Sequence, residues 1–317
     1  MSFEKFKKYL NEGLASPNNL TTDWRTIDLN VLHKPTTLKW ASTDSEDLFN
    51  SAVEGGVDTI NKTINNNISQ GIFDTTIKYY LDNPITYNLN SYGFRSDEFS
   101  MEESGNVFLG CSDTFGVGHR LEHSWPYLLT KIKFPNHKIY NLGAPGSGSD
   151  THFRLMNGLK NKMKIKNIFH WLPIRTRFEI FMEGKGENIR NGLVSVRPGF
   201  STISPIWELD NNLFSPDYIK KSLLSDTVRN INDLKNILAI KNIADELGVH
   251  YYLANFEQYI SSFTNIHQIQ VLEYLKKTDT PTPLLARDFQ HMSIFDSVKV
   301  TASFLKEIED VSDINII

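Results

Sequence analysis

The sequence predicts an α/β protein organised around a parallel β-sheet. Three apolar runs have the length and composition of buried strands: Val107–Leu109, Lys138–Leu142 and Asn167–Leu172. Between them lie segments whose apolar residues recur at helical spacing. Strand, loop and helix repeated in this order are typical of parallel strands joined by right-handed crossovers. A fourth strand is predicted at Val249–Ala254, where the same rhythm returns.

The helices of this pattern have recognisable starts and stops. Ser124 is the predicted N-cap of the helix after the first strand, and Asp150 of the helix after the second. Residues 231–247 form an apolar stripe that ends before a glycine, which predicts a third helix. Two more helices are expected, one around Ile266–Lys277 and one from about Ser293 to Ile308.

The chain divides into two parts by composition. Residues 1–80 are rich in Asn and Thr without a strong period, and we interpret them as an N-terminal appendage, mostly helix and loop. Residues 81–317 form the main domain, which begins with an alternating apolar pattern at 85–89 that predicts a strand. Gly, Pro, Ser and aromatic residues interrupt the strand–helix rhythm at about 178–228, which predicts an insertion that forms a lid or substrate wall.

Composition argues against several classes of function. The net charge of −4 includes no basic excess, so nucleic acid is not an expected partner. The single cysteine cannot form an intrachain disulfide framework. No apolar run approaches the roughly 18 residues that span a bilayer, and residues 1–10 lack the features of a signal peptide. We therefore expect no membrane association and favour the cytoplasm, a virion or another assembly as the location. The oligomeric state is left open.

The first strand runs into a loop of small residues that contains Ser112. Gly110 closes the strand, and Gly116 and Gly118 open the turn beyond the serine. The carboxyl ends of strands in open α/β sheets face the ligand crevice, so Ser112 is a candidate nucleophile. Its neighbour Cys111 is the stronger intrinsic nucleophile, but strand geometry turns it away from that crevice. We expect a buried structural cysteine.

Asp288 and His291 form a D-x-x-H pattern on a late loop. Three residues apart in a turn or helix start, the carboxylate can accept a hydrogen bond from Nδ1–H of the imidazole. Nε2 is then left to take a proton from a serine. The alternative interpretation is a capped helix start with an exposed histidine.

The glycine-rich loop Gly143–Asp150 permits two functional interpretations. Gly143 and Gly148 have spacing similar to a phosphate-binding loop, but Ser149 occupies the position where such loops need lysine. In the other interpretation, a backbone N–H near Gly143 or Gly146 points into the crevice as an oxyanion donor. A tight turn between strand and helix is expected in either case.

Two histidines, His119 and His123, have the spacing of helical metal ligands. The glycines before them favour a loop, and no nearby carboxylate or cysteine completes a ligand set. We therefore predict no metal site.

Several stretches, in the same order, resemble the SGNH (GDSL-like) hydrolase family. The resemblance covers about Asn88–Leu155 and, locally, Arg287–Ser293, and leaves the middle and the N-terminus uncovered. The matching stretches are Asn90–Arg95 (NSYGFR, a lead-in of some members), Gly110–Gly116 (GCSDTFG, the first block), Trp125–Pro126, Asn141–Gly146 (NLGAPG, the second block) and Asp288–His291 (DFQH, the last block).

The resemblance implies a flavodoxin-like three-layer α/β/α sandwich with a parallel sheet, and acyl-ester hydrolysis without a cofactor. By carry-over, Ser112 would be the nucleophile, His291 the general base and acid, and Asp288 the residue that orients the histidine. The backbone N–H groups of Ser112 and Gly143 would be oxyanion donors.

The sequence departs from the family pattern at two places. The aspartate of the first block is Cys111, so its local hydrogen bonding is lost or moves to Asp113. The third block, with its oxyanion-binding asparagine, is absent. Loss of one oxyanion donor typically costs on the order of 10²–10³ in rate. Arg175 falls near the missing residue and can donate instead, or it can pair with Glu179.

Two functions follow as hypotheses. The first is a serine esterase that acts on a small-molecule or carbohydrate acyl ester; the choice of an O-acyl sugar rests on family analogy. The second is an SGNH-like fold kept as a binding or structural module, for example in a virion. The absent third block and the unassigned N-terminus favour the second.

Overall fold

A computed structural model describes Leu32 and residues 34–172, 178–182, 192–196, 226–255, 268–270 and 284–314. The strands are β1 Thr36–Leu38, β2 Tyr87–Leu89, β3 Ser104–Leu109, β4 Lys138–Asn141, β5 Lys164–Trp171, β6 Phe178–Met182, β7 Gly192–Val196, β8 His250–Asn255 and β9 Gln268–Gln270. The helices are α1 Glu46–Ile64, α2 Gln70–Asp82, α3 Ser112–Phe115, α4 Trp125–Lys133, α5 Ser149–Leu159, α6 Asp226–Leu247 and α7 Ile294–Ile314.

The main sheet has five parallel strands in the order β4-β3-β5-β8-β9. Numbered among themselves along the chain, these strands run 2-1-3-4-5, the order of flavodoxin-like doubly wound sheets. In that order the direction of winding reverses between the first and third strands, here β3 and β5. Ligands of such folds bind at the carboxyl ends of the strands at this reversal, which places the segment after β3 in the expected position.

Helices cover both faces of the sheet because the strands bury side chains on both sides. On one face, Phe108 and Phe169 pack against Trp125 of α4 and Phe304 of α7. On the other face, the core joins alternate strand residues to α5 and α6; it includes Val107, Leu109, Ile168, Leu155, Met156, Ile240 and Ile243. The fold is therefore α/β with helices on both sides of a parallel sheet, compatible with a three-layer sandwich.

The four predicted strands of the main sheet are confirmed, with small changes at their ends. The helix predicted around Ile266–Lys277 is wrong at residues 268–270, which form β9 and extend the sheet beside β8. Ser124 is the N-cap of α4, as predicted, although its hydroxyl donates to the Leu121 carbonyl rather than accepting from the helix. The prediction for α5 is wrong, because Gly148 rather than Asp150 is its N-cap.

The apolar stripe predicted for α6 is only partly correct. Ile237 and Ala244 are buried, whereas Ile231 and Leu238 are exposed. The buried face instead includes Asn236, whose amide donates to Ser149 Oγ at 3.0 Å and Asp150 Oδ1 at 2.9 Å. The first turn of α5 therefore takes its polar partners from α6.

The N-terminal residues that the structure describes pack into the main body. β1 pairs with β2 in an antiparallel two-stranded sheet, which places the strand predicted at 85–89 outside the main sheet. Helix α1 contains a break at Gly56, whose φ is 69°. The Tyr80 hydroxyl at the end of α2 donates to the Leu285 carbonyl at 2.9 Å. This segment thus reaches the loop that carries the D-x-x-H pattern.

Within the predicted insertion at 178–228, the structure describes two antiparallel paired strands, β6 and β7, and the start of α6. Among the described helices, none has an apolar stretch long enough to cross a bilayer.

Candidate active site

Ser112 begins a single helical turn directly after β3. Gly110 lies between strand and turn, where any Cβ would overlap the Thr114 side chain. The turn ends at Gly116, whose φ of 81° is left-handed and favours glycine. Ser112 is 8% exposed, and its backbone N–H, as the first of the turn, has no acceptor in the helix itself.

The second-block loop packs directly on the Ser112 turn. Asn141 joins the two: its amide donates to the Thr114 carbonyl and its Oδ1 accepts from Gly143 N–H, both at 2.9 Å. A Cβ on Gly143 would lie 2.8 Å from the Thr114 carbonyl carbon and would clash with the Phe115 nitrogen. The Gly143 N–H expected to bind an oxyanion therefore donates to Asn141 in this structure.

Asp288 and His291 form the hydrogen-bonded pair that the D-x-x-H pattern predicts. Nδ1 of His291 lies 2.6 Å from Asp288 Oδ2. A carboxylate only accepts, so Nδ1 carries the proton and Nε2 is the basic atom. The Asp288 side chain is fully buried and that of His291 is 14% exposed. The alternative was a capped helix start with an exposed histidine. Its capping part is present, because Asp288 Oδ1 also accepts from the Gln290 and His291 N–H groups, but the histidine is largely buried and bonded to the aspartate.

The carboxylate of Asp288 is kept ionised by its donors. Burial alone would raise its pKa, but the charge of His291 and the hydrogen bonds from His291, Thr43 and the Gln290 N–H lower the pKa to about 2. Both oxygens are used: Oδ2 accepts from Thr43 and His291, and Oδ1 from the backbone N–H groups of Gln290 and His291. An ionised, fully bonded aspartate can stabilise an imidazolium.

Phe289, between the aspartate and the histidine, holds their loop against the N-terminal helices. Its φ is 58°, a left-handed conformation that is costly for a bulky residue. Its ring is 3% exposed and stacks on Phe73 of α2 with centroids 5.6 Å apart. The burial of this ring offsets the backbone strain.

The D-x-x-H loop contacts the segment that leaves the Ser112 turn. Arg287 N–H donates to the Gly118 carbonyl at 2.9 Å. A Cβ on Gly118 would lie 2.8 Å from Ala286 Cβ and 3.2 Å from Asp288 Oδ1. His119 Nε2 donates to the Met292 carbonyl at 2.7 Å. The structure therefore brings the loops of Ser112, Asp288 and His291 together, as the sequence blocks predict.

The hydroxyl of Ser112 and the ring of His291 are not joined by a hydrogen bond. Among the described residues, the one hydrogen-bond contact of Ser112 Oγ is the thiol of Cys111 at 3.7 Å. Catalytic hydrogen bonds are often formed only when substrate binds, so this arrangement does not exclude a nucleophile–base pair. Cys111 itself is 6% exposed, in agreement with the predicted buried cysteine.

A buried ion pair ties the N-terminal segment to the same loop, and the sequence did not suggest it. Arg287 donates to both oxygens of Asp44, from Nε at 2.8 Å and Nη2 at 2.6 Å, and its guanidinium lies 3.8 Å from the Trp40 ring centroid. The Tyr87 hydroxyl donates to Asp44 and accepts from Gly118 N–H. Asp44 and Trp40 are more than two hundred positions from Arg287, so no local pattern indicates this contact.

Arg95, from the lead-in that resembles some family members, holds the segment after the Ser112 turn. Its guanidinium donates to the carbonyls of Gly116 at 2.7 Å and His119 at 2.9 Å. Burial lowers the pKa of Arg95 to about 10, which leaves it charged at neutral pH. The resemblance could have indicated this residue as structural.

A chain of buried hydrogen bonds runs from Gly110 to β8, and no motif in the sequence indicates it. Ser147 Oγ donates to the Gly110 carbonyl at 3.1 Å and lies 3.0 Å from His152 Nε2; His152 Nδ1 lies 2.9 Å from His170 Nε2, and His170 Nδ1 lies 2.8 Å from the Tyr251 hydroxyl. The four contacts are all satisfied when the donors point one way along the chain. The Tyr251 hydroxyl donates to His170, His170 donates to His152, and His152 donates to Ser147, with both imidazoles neutral. Burial and the neighbouring His152 lower the pKa of His170 well below its ordinary value, in agreement with neutral rings.

The remaining predicted site residues have different outcomes. Gly146 lies in the turn after Pro145 with a φ of 82°, and Arg175 lies outside the described residues. His119 is buried, whereas His123 is half-buried near the Tyr79 hydroxyl. Across the described ranges, no group of three or more metal-ligating side chains is present.

The sequence matches no protein-family model and no curated protein.

Proposed function

We propose that this chain is a serine-dependent ester hydrolase of SGNH type. The observation that carries the proposal is the buried, ionised Asp288 hydrogen-bonded to His291 Nδ1, on a loop packed against the segment leaving the Ser112 turn. This combination supplies an oriented base on a loop that contacts the segment following the serine turn at the carboxyl end of β3. Ligands of this strand order bind at that point.

In the proposed reaction, Ser112 Oγ attacks the ester carbonyl while His291 Nε2 takes its proton. Asp288 stabilises the imidazolium that results. The Ser112 N–H donates to the oxyanion, and His291 then protonates the departing alcohol. In the second half, His291 Nε2 takes a proton from water as the water oxygen attacks the acyl carbonyl, and it returns a proton to Ser112 Oγ as the bond to the acyl group breaks and the acid leaves. Gly143 contributes by allowing the second-block loop to close on the Ser112 turn.

The substrate class follows from the same chemistry. A neutral ester needs neither metal nor redox cofactor when serine, histidine and aspartate are aligned. Small-molecule and carbohydrate acyl esters both fit this chemistry, and the choice of an O-acyl sugar still rests on family analogy. Arg175, as replacement for the absent third-block donor, is part of the proposal.

Turnover of p-nitrophenyl acetate by wild type and Ser112→Ala tests the proposal. We expect Ser112→Ala to lose about 10³-fold or more, because the nucleophile is removed. Ser51→Ala, a change at an exposed position of α1, is the matched control and should keep the wild-type rate. An alkyl fluorophosphonate should add its mass to the peptide containing Ser112 and to no other peptide. Equal rates for wild type and Ser112→Ala would remove Ser112 from the mechanism.

A second candidate is an SGNH-like binding or structural module without turnover. Two observations favour it: Ser112 Oγ is bonded to Cys111 rather than His291, and Gly143 N–H already donates to Asn141. Wild-type protein that is folded, hydrolyses no ester and resists the fluorophosphonate would support this candidate. If Arg175→Ala keeps full esterase activity, the arginine has no part in the mechanism, but the hydrolase proposal itself still stands.

A further inference from the structure

The turn Ala41–Asp44 of the N-terminal segment reaches the candidate catalytic aspartate. Ala41 and Asp44 exchange two backbone hydrogen bonds at 3.0 and 3.1 Å, and Ser42 between them has a left-handed φ of 60°. Thr43, at the tip, donates from Oγ1 to Asp288 Oδ2 at 2.6 Å. The donor and the acceptor are 245 residues apart in the chain.

This turn is held on both sides of Thr43. The carboxylate of Asp44, next in sequence, receives two hydrogen bonds from Arg287, the residue that precedes Asp288. The Arg287 guanidinium also donates to the Lys39 carbonyl at 2.7 Å. Asp44 is the neighbour of Thr43, and Arg287 is the neighbour of Asp288. Their ion pair therefore fixes the position of the Thr43 hydroxyl relative to Asp288.

We propose that Thr43 is a positioning residue that orients Asp288 toward His291, so that the N-terminal segment is part of the hydrolytic site. This inference rests on the proposed function. Thr43 and His291 donate to the same oxygen, Oδ2, while two backbone N–H groups occupy Oδ1. Because the Thr43 hydroxyl occupies one lone pair of Oδ2, the other lone pair is left for Nδ1 of His291. The imidazole ring is thereby held in one orientation, which sets the direction of Nε2.

The role can be tested without disturbing the core because Thr43 is itself exposed. Thr43→Val keeps the shape and removes the donor, and Thr43→Ser keeps the donor. Thr37→Val is the matched control, since exposed Thr37 of β1 donates to Asn88 Oδ1 at 2.8 Å, away from the loop. Thermal unfolding verifies that all three variants are folded.

We expect Thr43→Val to lower kcat for p-nitrophenyl acetate by about tenfold or more, the size of one charge-assisted hydrogen bond, with KM within about twofold of wild type. Thr43→Ser and Thr37→Val should stay within about twofold of wild type in kcat. A kcat for Thr43→Val equal to wild type, or an equal loss in Thr43→Ser, would overturn the proposal.

A second measurement separates this inference from the proposed function. The His291 Nδ1 proton, bonded to an ionised carboxylate, should give a far-downfield proton NMR signal that is absent from His291→Ala. Thr43→Val should move or broaden this signal, whereas Thr43→Ser and Thr37→Val should retain it. If the wild type has no esterase activity but the three variants give the NMR signals expected of them, the proposed hydrolase function is rejected and the contact that positions Asp288 is supported. A signal unaffected by Thr43→Val would reject the contact, whatever the activity.

Discussion

Replacing Arg287 by methionine measures how far the buried pair with Asp44 stabilises the site. The two side chains are 5% and 1% exposed, and Arg287 supplies two of the hydrogen bonds of the carboxylate. Methionine keeps an apolar contact with the Trp40 ring but removes both donors. Among the contacts described, the Tyr87 hydroxyl is then the one side-chain donor left to the Asp44 carboxylate.

The size of the effect follows from proton binding. Burial is already the largest influence on Asp44 and raises its pKa above the ordinary 3.8, in spite of Arg287. Without Arg287 the carboxyl is expected to take up a proton. At about pH 7 this costs at most about 4 kcal/mol, because each pH unit above 3.8 contributes about 1.4 kcal/mol. The bound agrees with the roughly 3–5 kcal/mol lost when one partner of a buried pair is removed.

The pH dependence has a definite sign. In Arg287→Met the folded pKa of Asp44 lies far above the unfolded value, so the folded state holds a proton that the unfolded state releases. The free energy of unfolding must then fall as the pH rises and recover, by up to about 1.4 kcal/mol per unit, as the pH is lowered.

Urea unfolding at several pH values between about 5 and 8 provides the assay. Asp44→Asn should also cost about 3–5 kcal/mol, because it leaves the Arg287 cation buried without its carboxylate, but this loss should not vary with pH in that range. The double variant should lose the pH dependence that Arg287→Met adds, since no Asp44 carboxylate is left to protonate. A loss in Arg287→Met under about 1 kcal/mol, or one of equal size at both ends of the pH range, would refute the reasoning.

Two further predictions concern Gly143 and His119. Gly143→Ala should lower the free energy of unfolding measured in urea by roughly 1–3 kcal/mol and reduce ester turnover, because its Cβ would meet the backbone of the Ser112 turn. Gly71→Ala is the control: its Cβ would lie in open space, so the free energy of unfolding should not fall. Burial lowers the pKa of His119 from 6.5 to about 4, so the unfolded chain binds a proton first as pH falls and stability declines by about 3 kcal/mol between about pH 7 and 4. His119→Gln should remove that part of the decline in pH-dependent urea unfolding, and an unchanged slope would contradict the prediction.

The strands were predictable because each is a short apolar run buried on both faces of the sheet, a signal contained in consecutive residues. The failures arose where that signal is weak. Residues 268–270, read as helix, are three residues of strand at the edge of the sheet. The stripe of α6 was misassigned because Asn236 is buried by hydrogen bonds to α5, which apolar spacing cannot reveal.

The site divides in the same way. Asp288 and His291 were predicted as a pair because three residues in a turn lie side by side, whatever the rest of the fold does. The second-block glycine was likewise marked by its small-residue loop. The acceptor of the Gly143 N–H could not be predicted, because it depends on where the fold places the side-chain oxygen of Asn141.

By itself, the sequence determined the parallel α/β architecture, the serine turn after β3 and the histidine–aspartate pair, because each is indicated by a pattern of residues close together in the chain. Only the tertiary structure showed that Thr43 and Asp44 contact the loop of Asp288, and that the His152–His170 chain is linked through Ser147 to Gly110 before the serine turn. Those contacts join segments far apart in sequence. The residues involved are ordinary polar ones, and only the contacts made in the folded chain give them a specific role.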